Sequence, residues 1–187
     1  MYLTTNGYFK SRGRRSTAAA MALLAMLLGL SACVESEAPL LDDGKPLLGE
    51  RIRLRIYSMR DGLAHEPQAA TFRWKDGRYV PVGRFKDIEP FTLHAFEGAD
   101  LIAQSHSKHK KMEYGLVRKL AGGVFLVIPI DEDDADEATR AKFCRKDAAA
   151  SCRIESRDAL LALARATGAK PHDRGGLAIL VGPKARP

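Results

Sequence analysis

The feature that most constrains the fold is a strict alternation of apolar and charged residues over positions 51–56, since a period of two fits a strand and not a helix. The apolar positions are Ile52, Leu54 and Ile56, and the charged positions are Arg51, Arg53 and Arg55. One face of the segment is therefore apolar while the other carries three guanidinium groups. This pattern predicts a half-buried strand of an antiparallel sheet.

A β-hairpin is predicted over residues 71–82. Asp76-Gly77 separates two runs rich in aromatic and β-branched residues, and this dipeptide suits a type I′ turn, which needs positive φ at both central positions. A two-residue loop sets Trp74 opposite Tyr79 and Lys75 opposite Arg78. The second pairing is mildly repulsive, so a longer turn is the alternative.

Further strands are expected at short, regular intervals, which is typical of an antiparallel meander of five to eight strands. They are predicted at residues 90–96, 101–105, 112–120, 124–130 and 176–182. The run 124–128 contains only apolar residues, so we expect both of its faces to be covered.

Two C-terminal helices are predicted to supply that cover, at residues 133–143 and 156–167. The first begins with acidic residues, and the second has Ser156 as its N-cap followed by an apolar stripe. We therefore expect one α+β domain over residues 51–187, an antiparallel sheet packed against two helices. Residues 33–50 contain Pro39, Pro46, Gly44 and Gly49 among acidic residues, and are predicted to be a flexible tether.

The first thirty-two residues have the composition of an export signal. Residues 1–17 contain four basic and no acidic residues, and residues 18–30 are all Ala, Met, Leu or Gly. Thirteen helical residues span roughly 20 Å, whereas a hydrocarbon core is about 30 Å thick. The apolar run is therefore too short to cross a membrane.

This segment ends in Leu30-Ser31-Ala32-Cys33, which resembles the lipobox of bacterial lipoprotein signal peptides. The resemblance implies cleavage before Cys33, a thioether-linked diacylglycerol on its sulfur and usually an N-acyl chain. Two or three chains anchor a protein stably to a bilayer. Val34, rather than Asp, follows the cysteine, which by the same resemblance favours the outer membrane, with the domain facing the periplasm.

Removing residues 1–32 changes what charge and cysteine content imply. The remaining chain has 26 basic and 23 acidic residues, so its net charge is +3 rather than +7. The apparent basicity belongs mostly to the signal, and with the export signal this argues against a nucleic-acid partner. Lipidation of Cys33 leaves Cys144 and Cys152, which are expected to form a structural disulfide in an oxidising compartment.

Two basic segments are candidate sites. His106 and His109 have a spacing that suits metal chelation, but Lys108, Lys110 and Lys111 oppose a divalent cation and no third ligand is evident. We treat the histidines as weak metal candidates only. The three lysines and the arginines at positions 51, 53 and 55 form a possible anionic-ligand patch, with a solvated strand face as the simpler interpretation.

No motif in the sequence names a reaction, a cofactor or a catalytic residue. The leading hypothesis is a membrane-anchored envelope lipoprotein with a non-enzymatic binding or structural role and an envelope protein as partner. One alternative is a hydrolase-like envelope enzyme whose site assembles only in three dimensions, from the histidines and the acidic run 131–137. Another is binding of an anionic polymer or lipid through the basic segments, which would weaken in high salt.

Overall fold

The computed structural model describes residues 34–42, 44–60, 63–64, 67–83, 88–106, 111–146, 152–172 and 175–182. The proposed signal peptide with Cys33 lies outside the described residues, as do Lys108, His109 and Lys110. The described chain is mostly antiparallel sheet with two α-helices, which confirms the expected class.

The described residues form twelve strands, one 3-10 turn and two α-helices. The strands are β1 (Val34–Ser36), β2 (Arg51–Arg60), β3 (Leu63–Ala64), β4 (Gln68–Lys75), β5 (Arg78–Val82), β6 (Phe91–Ala95), β7 (Leu101–His106), β8 (Met112–Ala121), β9 (Val124–Pro129), β10 (Arg145–Lys146), β11 (Cys152–Arg153) and β12 (Gly175–Leu180). The 3-10 turn is Glu132–Asp134, and the helices are α1 (Glu137–Phe143) and α2 (Arg157–Gly168).

Eight of these strands close into a ring, which is more specific than the expected meander. Strands β4 to β9 do pair consecutively as a meander, but β12 then inserts between β9 and β2, and β2 pairs with β4. The order around the ring is β8, β7, β6, β5, β4, β2, β12, β9 and again β8. Closure removes the free edges that an open meander leaves at its first and last strands.

The predicted local patterns are present in the ring. In β2 the three apolar side chains are buried and the three arginines are exposed. The hairpin of β4 and β5 has Trp74 opposite Tyr79, and φ is +51° at Asp76 and +76° at Gly77. Both values lie in the left-handed region that a type I′ turn requires.

Apolar side chains form two cores, one on each side of the sheet. The inner core lies inside the ring and draws on all eight of its strands, including Ile52, Leu54, Phe72, Tyr79, Leu93, Ala103, Val117, Phe125 and Ala178. The outer core lies between the sheet and α2, and includes Val34, Ile102, Tyr114, Leu116, Ile128, Leu160 and Leu163. Strand β9 contributes Phe125 to one and Ile128 to the other, which confirms that both its faces are covered.

The helical region differs from the expectation at its first element. The single helix predicted at 133–143 is divided, because Asp131 caps the 3-10 turn and Asp136 caps α1, and Ala135 between them is extended. Helix α2 begins after Ser156, whose side chain accepts a hydrogen bond from the Ala159 amide, as predicted. Neither helix among the described residues is long and apolar enough to span a bilayer.

The predicted disulfide joins Cys144 to Cys152, with 4.8 Å between their Cα atoms. Cys144 is the C-cap of α1, and Cys152 is a buried residue of β11. The bond therefore ties the end of α1 to the strand that pairs with β1, and β11 precedes α2.

The flexible tether expected over residues 33–50 is corrected by the packing of its described residues. Val34–Ser36 forms β1 at the edge of β8. The described residues 37–42 and 44–50, named here the strap, run from the outer core at Leu41 to the inner core at Leu48. The Tyr114 hydroxyl accepts from the Leu40 amide, and Gln104 pairs with both the N–H and the C=O of Leu41. Near β2, the Tyr79 hydroxyl bonds the backbone of Leu48 and Gly49. The strap is held because distant side chains satisfy its backbone.

Candidate functional site: a cationic outer face

Cationic side chains share the outer surface of three neighbouring ring strands, β2, β4 and β5. Since inner and outer positions alternate along each strand, the burial of Phe72 and Tyr79 directs their neighbours in sequence outward. The exposed residues of this surface, named here the basic face, are Arg51, Arg53, Arg55, Arg73, Lys75 and Arg78.

The strand register brings these charges together. Arg51 lies directly opposite Arg73, and Lys75 lies directly opposite Arg78. Directly opposed side chains on one face have Cβ atoms about 5 Å apart, at which like charges destabilise a sheet. The like charges of the basic face therefore destabilise the pairing of these strands.

Carboxylates do little to neutralise this charge. Throughout the described part of the chain, the five arginines of the basic face have no ion pair or hydrogen bond through their guanidinium groups. Lys75 pairs with Asp76 at 3.8 Å, and both side chains are largely exposed, so screening leaves this contact weak. The positive potential of the face is consequently available to a ligand.

Guanidinium groups in this arrangement suit phosphate or carboxylate groups repeated along a surface. Each guanidinium offers donors in a planar fork that binds an oxyanion through two parallel hydrogen bonds. Arg51, Arg53 and Arg55 follow one another at about 6.7 Å along one strand face, and Arg73 adds a second row. The face can therefore engage several oxyanions at once.

The structure divides the sequence-predicted patch. Arg51, Arg53 and Arg55 belong to the basic face, but Lys111 directly precedes β8 and its Nζ is 2.7 Å from Oε2 of Glu35 in β1. Sequence reasoning missed Arg73, Lys75 and Arg78. The signal for them was present in the hairpin pattern, because the buried positions of β4 and β5 fix which residues point outward.

Among the described residues, His106 belongs to no group of side chains that could hold a metal ion. His106 ends β7 and is exposed, and His109 lies outside the described residues. The imidazole beside the acidic run is that of His172, whose Nδ1 is 3.9 Å from Oδ2 of Asp134. Glu132, Cys144 and Cys152 do gather possible ligand atoms within 4.8 Å, but both sulfurs are committed to the disulfide.

A separate small cleft lies between the strap, β6 and α2, with a volume of about 240 Å³. Asp42, His94 and Arg157 supply its polar lining, and the Oγ1 of Thr92 is 2.8 Å from Nε2 of His94. Burial lowers the pKa of His94, with Asp42 opposing and Arg157 reinforcing the shift. Burial therefore favours the neutral ring, which can accept or donate one hydrogen bond to a small polar group.

Comparison with protein-family models, with curated proteins and with solved structures found no match for this chain. The fold and the site define a class in physical terms, a closed eight-stranded antiparallel sheet that carries a cationic outer face.

Proposed function

We propose that this protein is a lipid-anchored protein of the bacterial envelope with a non-enzymatic role, and that its basic face binds an anionic envelope polymer. The observation that carries the proposal is the basic face itself. Six exposed cations lie on three adjacent strands, and the five arginines have no acidic partner among the described residues. A protein with net charge +3 after the proposed cleavage gains nothing in solubility from concentrating its cations in this way.

Several features support the envelope location. The N-terminal sequence resembles a lipoprotein signal, and the disulfide between Cys144 and Cys152 is the kind of bond that persists outside the cytosol. By the same resemblance, the outer membrane is the preferred site, with the domain in the periplasm.

Chain geometry favours a polymer over the protein's own bilayer as the partner of the basic face. Val34 is fully buried in β1, so a lipidated Cys33 would have about 3.8 Å of chain between its Cα atom and the folded domain. Strand β1 pairs with β8, and β4 lies four strands from β8 in either direction around the ring. The centre of the basic face is therefore on the side of the ring opposite the attachment point.

The anchor is tested by mass spectrometry of the protein purified from its own membranes. We expect a chain that begins at Cys33 and carries the mass of a diacylglycerol thioether, usually with one further acyl chain. Cys33→Ser should release the protein from the membrane, whereas the double variant Cys144→Ser/Cys152→Ser should leave it attached. A bare Cys33 thiol with residues 1–32 still present would contradict the proposal.

The basic face is tested by sedimentation with lipopolysaccharide, a phosphate-bearing envelope polymer, in low and high salt. We expect binding at about 50 mM salt and its loss at about 0.5 M. At the higher concentration, the Debye length over which exposed charges interact is only a few ångströms. The triple variant Arg51→Gln/Arg53→Gln/Arg73→Gln should weaken binding by about tenfold or more, equivalent to about 1.4 kcal/mol.

A charge-matched control separates the basic face from net charge. Arg145→Gln/Arg157→Gln/Arg165→Gln removes three exposed arginines outside the basic face, and should leave binding within about twofold of the parent protein. Equal losses in the two triple variants, or binding that ignores salt, would overturn the assignment. Stronger sedimentation with phosphatidylglycerol vesicles than with lipopolysaccharide would instead point to a bilayer surface.

A further inference from the structure

A row of inward-directed residues crosses four neighbouring strands. It lies at the C-terminal end of β7 and at the N-terminal end of β8. Phe91 of β6 lies opposite Ser105 of β7, Ser105 lies opposite Glu113 of β8, and Glu113 lies opposite Glu35 of β1. Directly opposed residues share a face and have Cβ atoms about 5 Å apart. The row therefore places an aromatic ring, a hydroxyl and two carboxyl groups side by side.

Two members of this row lack a hydrogen-bond partner among the described residues, and the Ser105 hydroxyl is also fully buried. The Ser105 hydroxyl has no hydrogen-bond partner among the described residues, and Ser105 is 2% exposed. Glu113 is 9% exposed, and no described residue donates a hydrogen bond to its carboxyl group. A buried hydroxyl without a partner costs about 1–3 kcal/mol, so a chain rarely keeps one without a use for it.

The charges around the row leave Glu113 as the group that a ligand would neutralise. Glu35 is already paired, because Nζ of Lys111 is 2.7 Å from its Oε2. Burial first, and then the nearby charge of Glu35, raise the pKa of Glu113 to about 7. Among the described residues, ionisation of Glu113 would therefore set the two negative charges of Glu35 and Glu113 against the one positive charge of Lys111.

We propose that this row is a binding site for a small primary ammonium group, with the Glu113 carboxylate and the Ser105 hydroxyl oxygen as acceptors and the Phe91 ring beside the cation. The hydrogen bonds to a buried carboxylate are charge-assisted, and an aromatic face attracts an ammonium group within about 6 Å. The ligand would thereby supply a hydrogen-bond partner to both groups, neither of which has one among the described residues.

Other ligand classes fit the row less well. Of the groups that the structure describes here, an anion would meet two carboxylates and the ammonium group of Lys111, which is already paired with Glu35. A divalent metal such as Ca²⁺ needs six or more oxygen ligands, and Lys111 beside Glu35 opposes it. An ammonium group needs only a few acceptors and no fixed coordination geometry.

The neighbouring inward positions limit the ligand to a small one. Ala103 and Gly115 are the next inward residues of β7 and β8, and they lie directly opposite each other. They provide the least bulky side chains of these strands beside the row. Leu93 lies opposite Ala103, and a Cβ added to Gly115 would already be 3.8 Å from Cγ1 of Val127. Val117 fills the next inward position of β8, so a short alkyl chain rather than a long one is expected.

Binding should be coupled to release of a proton from Glu113. At a pH below 7 the carboxyl group is protonated, and an ammonium ligand must displace that proton to gain the ionic contact. The affinity for the ligand should therefore rise about tenfold for each pH unit well below 7, and should level off above it.

The test uses NMR titration of the full-length protein with n-butylammonium, and with n-butanol as the uncharged probe of equal length. We expect saturable shifts at Ser105 and Glu113 with n-butylammonium, an affinity about tenfold higher at pH 6 than at pH 5, and much weaker binding of n-butanol. Glu113→Gln should abolish the pH dependence, and Ser105→Ala should weaken binding without removing that dependence.

Glu89→Gln, at an exposed glutamate, is the matched control. It should change neither the affinity for n-butylammonium nor the pH dependence of that affinity. A lack of saturable binding of n-butylammonium would overturn the proposal, as would equal affinity for n-butanol. A pH dependence that survives in Glu113→Gln would also contradict it, and the Ser105→Ala result remains informative if Glu113→Gln fails to fold. None of these outcomes depends on the lipid anchor or on the basic face.

Discussion

At the scale of single residues, two adjacent polar residues of β8 differ in whether their side chains have hydrogen-bond partners. The Tyr114 hydroxyl is 2.7 Å from Oγ of Ser36 and accepts from the Leu40 amide, so its burial is compensated. Glu113 next to it has no such partner among the described residues. The sequence assigns the two residues to opposite faces, but it does not show what lies opposite each one, because the partners come from distant parts of the chain.

The raised pKa of Glu113 predicts how stability depends on pH. Its folded pKa of about 7 exceeds the ordinary value of 4.5, so between these pH values the folded state binds more protons than the unfolded state. The free energy of unfolding should therefore fall as pH rises from 4.5 to 7, by roughly 3 kcal/mol in total, and then stay constant with respect to this group.

Urea denaturation at several pH values measures this loss against Glu113→Gln, which is neutral throughout. The variant should lack the decline between pH 5 and 7 and should be more stable than the parent at pH 8. Glu89→Gln, the exposed control, should follow the parent curve. Parallel curves for the parent and Glu113→Gln would show that Glu113 ionises normally.

A second residue-scale prediction concerns the hydroxyl that holds the strap. Tyr114→Phe leaves the Leu40 amide without this acceptor and removes the contact to Ser36, so we expect a loss of about 1–2 kcal/mol in the free energy of unfolding. Tyr57→Phe is the matched control, because the Tyr57 hydroxyl has no hydrogen bond to any described residue. Denaturant titration of both variants should separate them, and equal stability would mean that the strap does not depend on this bond.

At the scale of elements, local patterns were sufficient wherever the determining residues are close in sequence. The β4–β5 hairpin follows from Asp76-Gly77, and α2 follows from Ser156 and its apolar stripe. The strap was not predictable, because Leu41 bonds Gln104 across 63 residues and Ser36 contacts Tyr114 across 78. Proline, glycine and acidic residues look the same in a flexible linker and in a segment held by distant side chains.

The disulfide belongs to this scale because it joins two elements, α1 and β11. The nine-residue loop that it closes is expected to stabilise the folded state by roughly 2–3 kcal/mol on the chain-entropy model. Cys144→Ser/Cys152→Ser should lower the free energy of unfolding by that amount, and reduction of the parent protein should give a similar loss. If reduction left stability unchanged, the bond would have no structural role.

At the scale of the whole molecule, closure of the sheet could not be read from the sequence. The meander from β4 to β9 follows chain order, but the ring depends on β12 pairing with both β2 and β9, and β12 lies more than one hundred residues after β2. Closure gives the molecule an inside and an outside. It also sets the basic face and β1 on opposite sides, which no local pattern contains.

Because the basic face and β1 lie on opposite sides of the ring, we expect a particular orientation of the anchored protein on the bilayer. A ring of eight strands is roughly 15 Å across its backbone, and outward side chains add to this distance. A fluorophore on Glu37→Cys, three residues from Val34, should be close to the bilayer, while one on Arg73→Cys should be far from it.

Nitroxide-labelled lipid headgroups provide the measurement, because they quench fluorophores only at short range. In vesicles that contain the lipidated protein, we expect strong quenching of the Glu37→Cys probe and little quenching of the Arg73→Cys probe. The native cysteines do not interfere, since Cys144 and Cys152 are bonded to each other and Cys33 would carry the lipid. Equal quenching at both positions would mean that the domain turns its basic face toward its own bilayer, and the partner would then be phospholipid rather than a polymer.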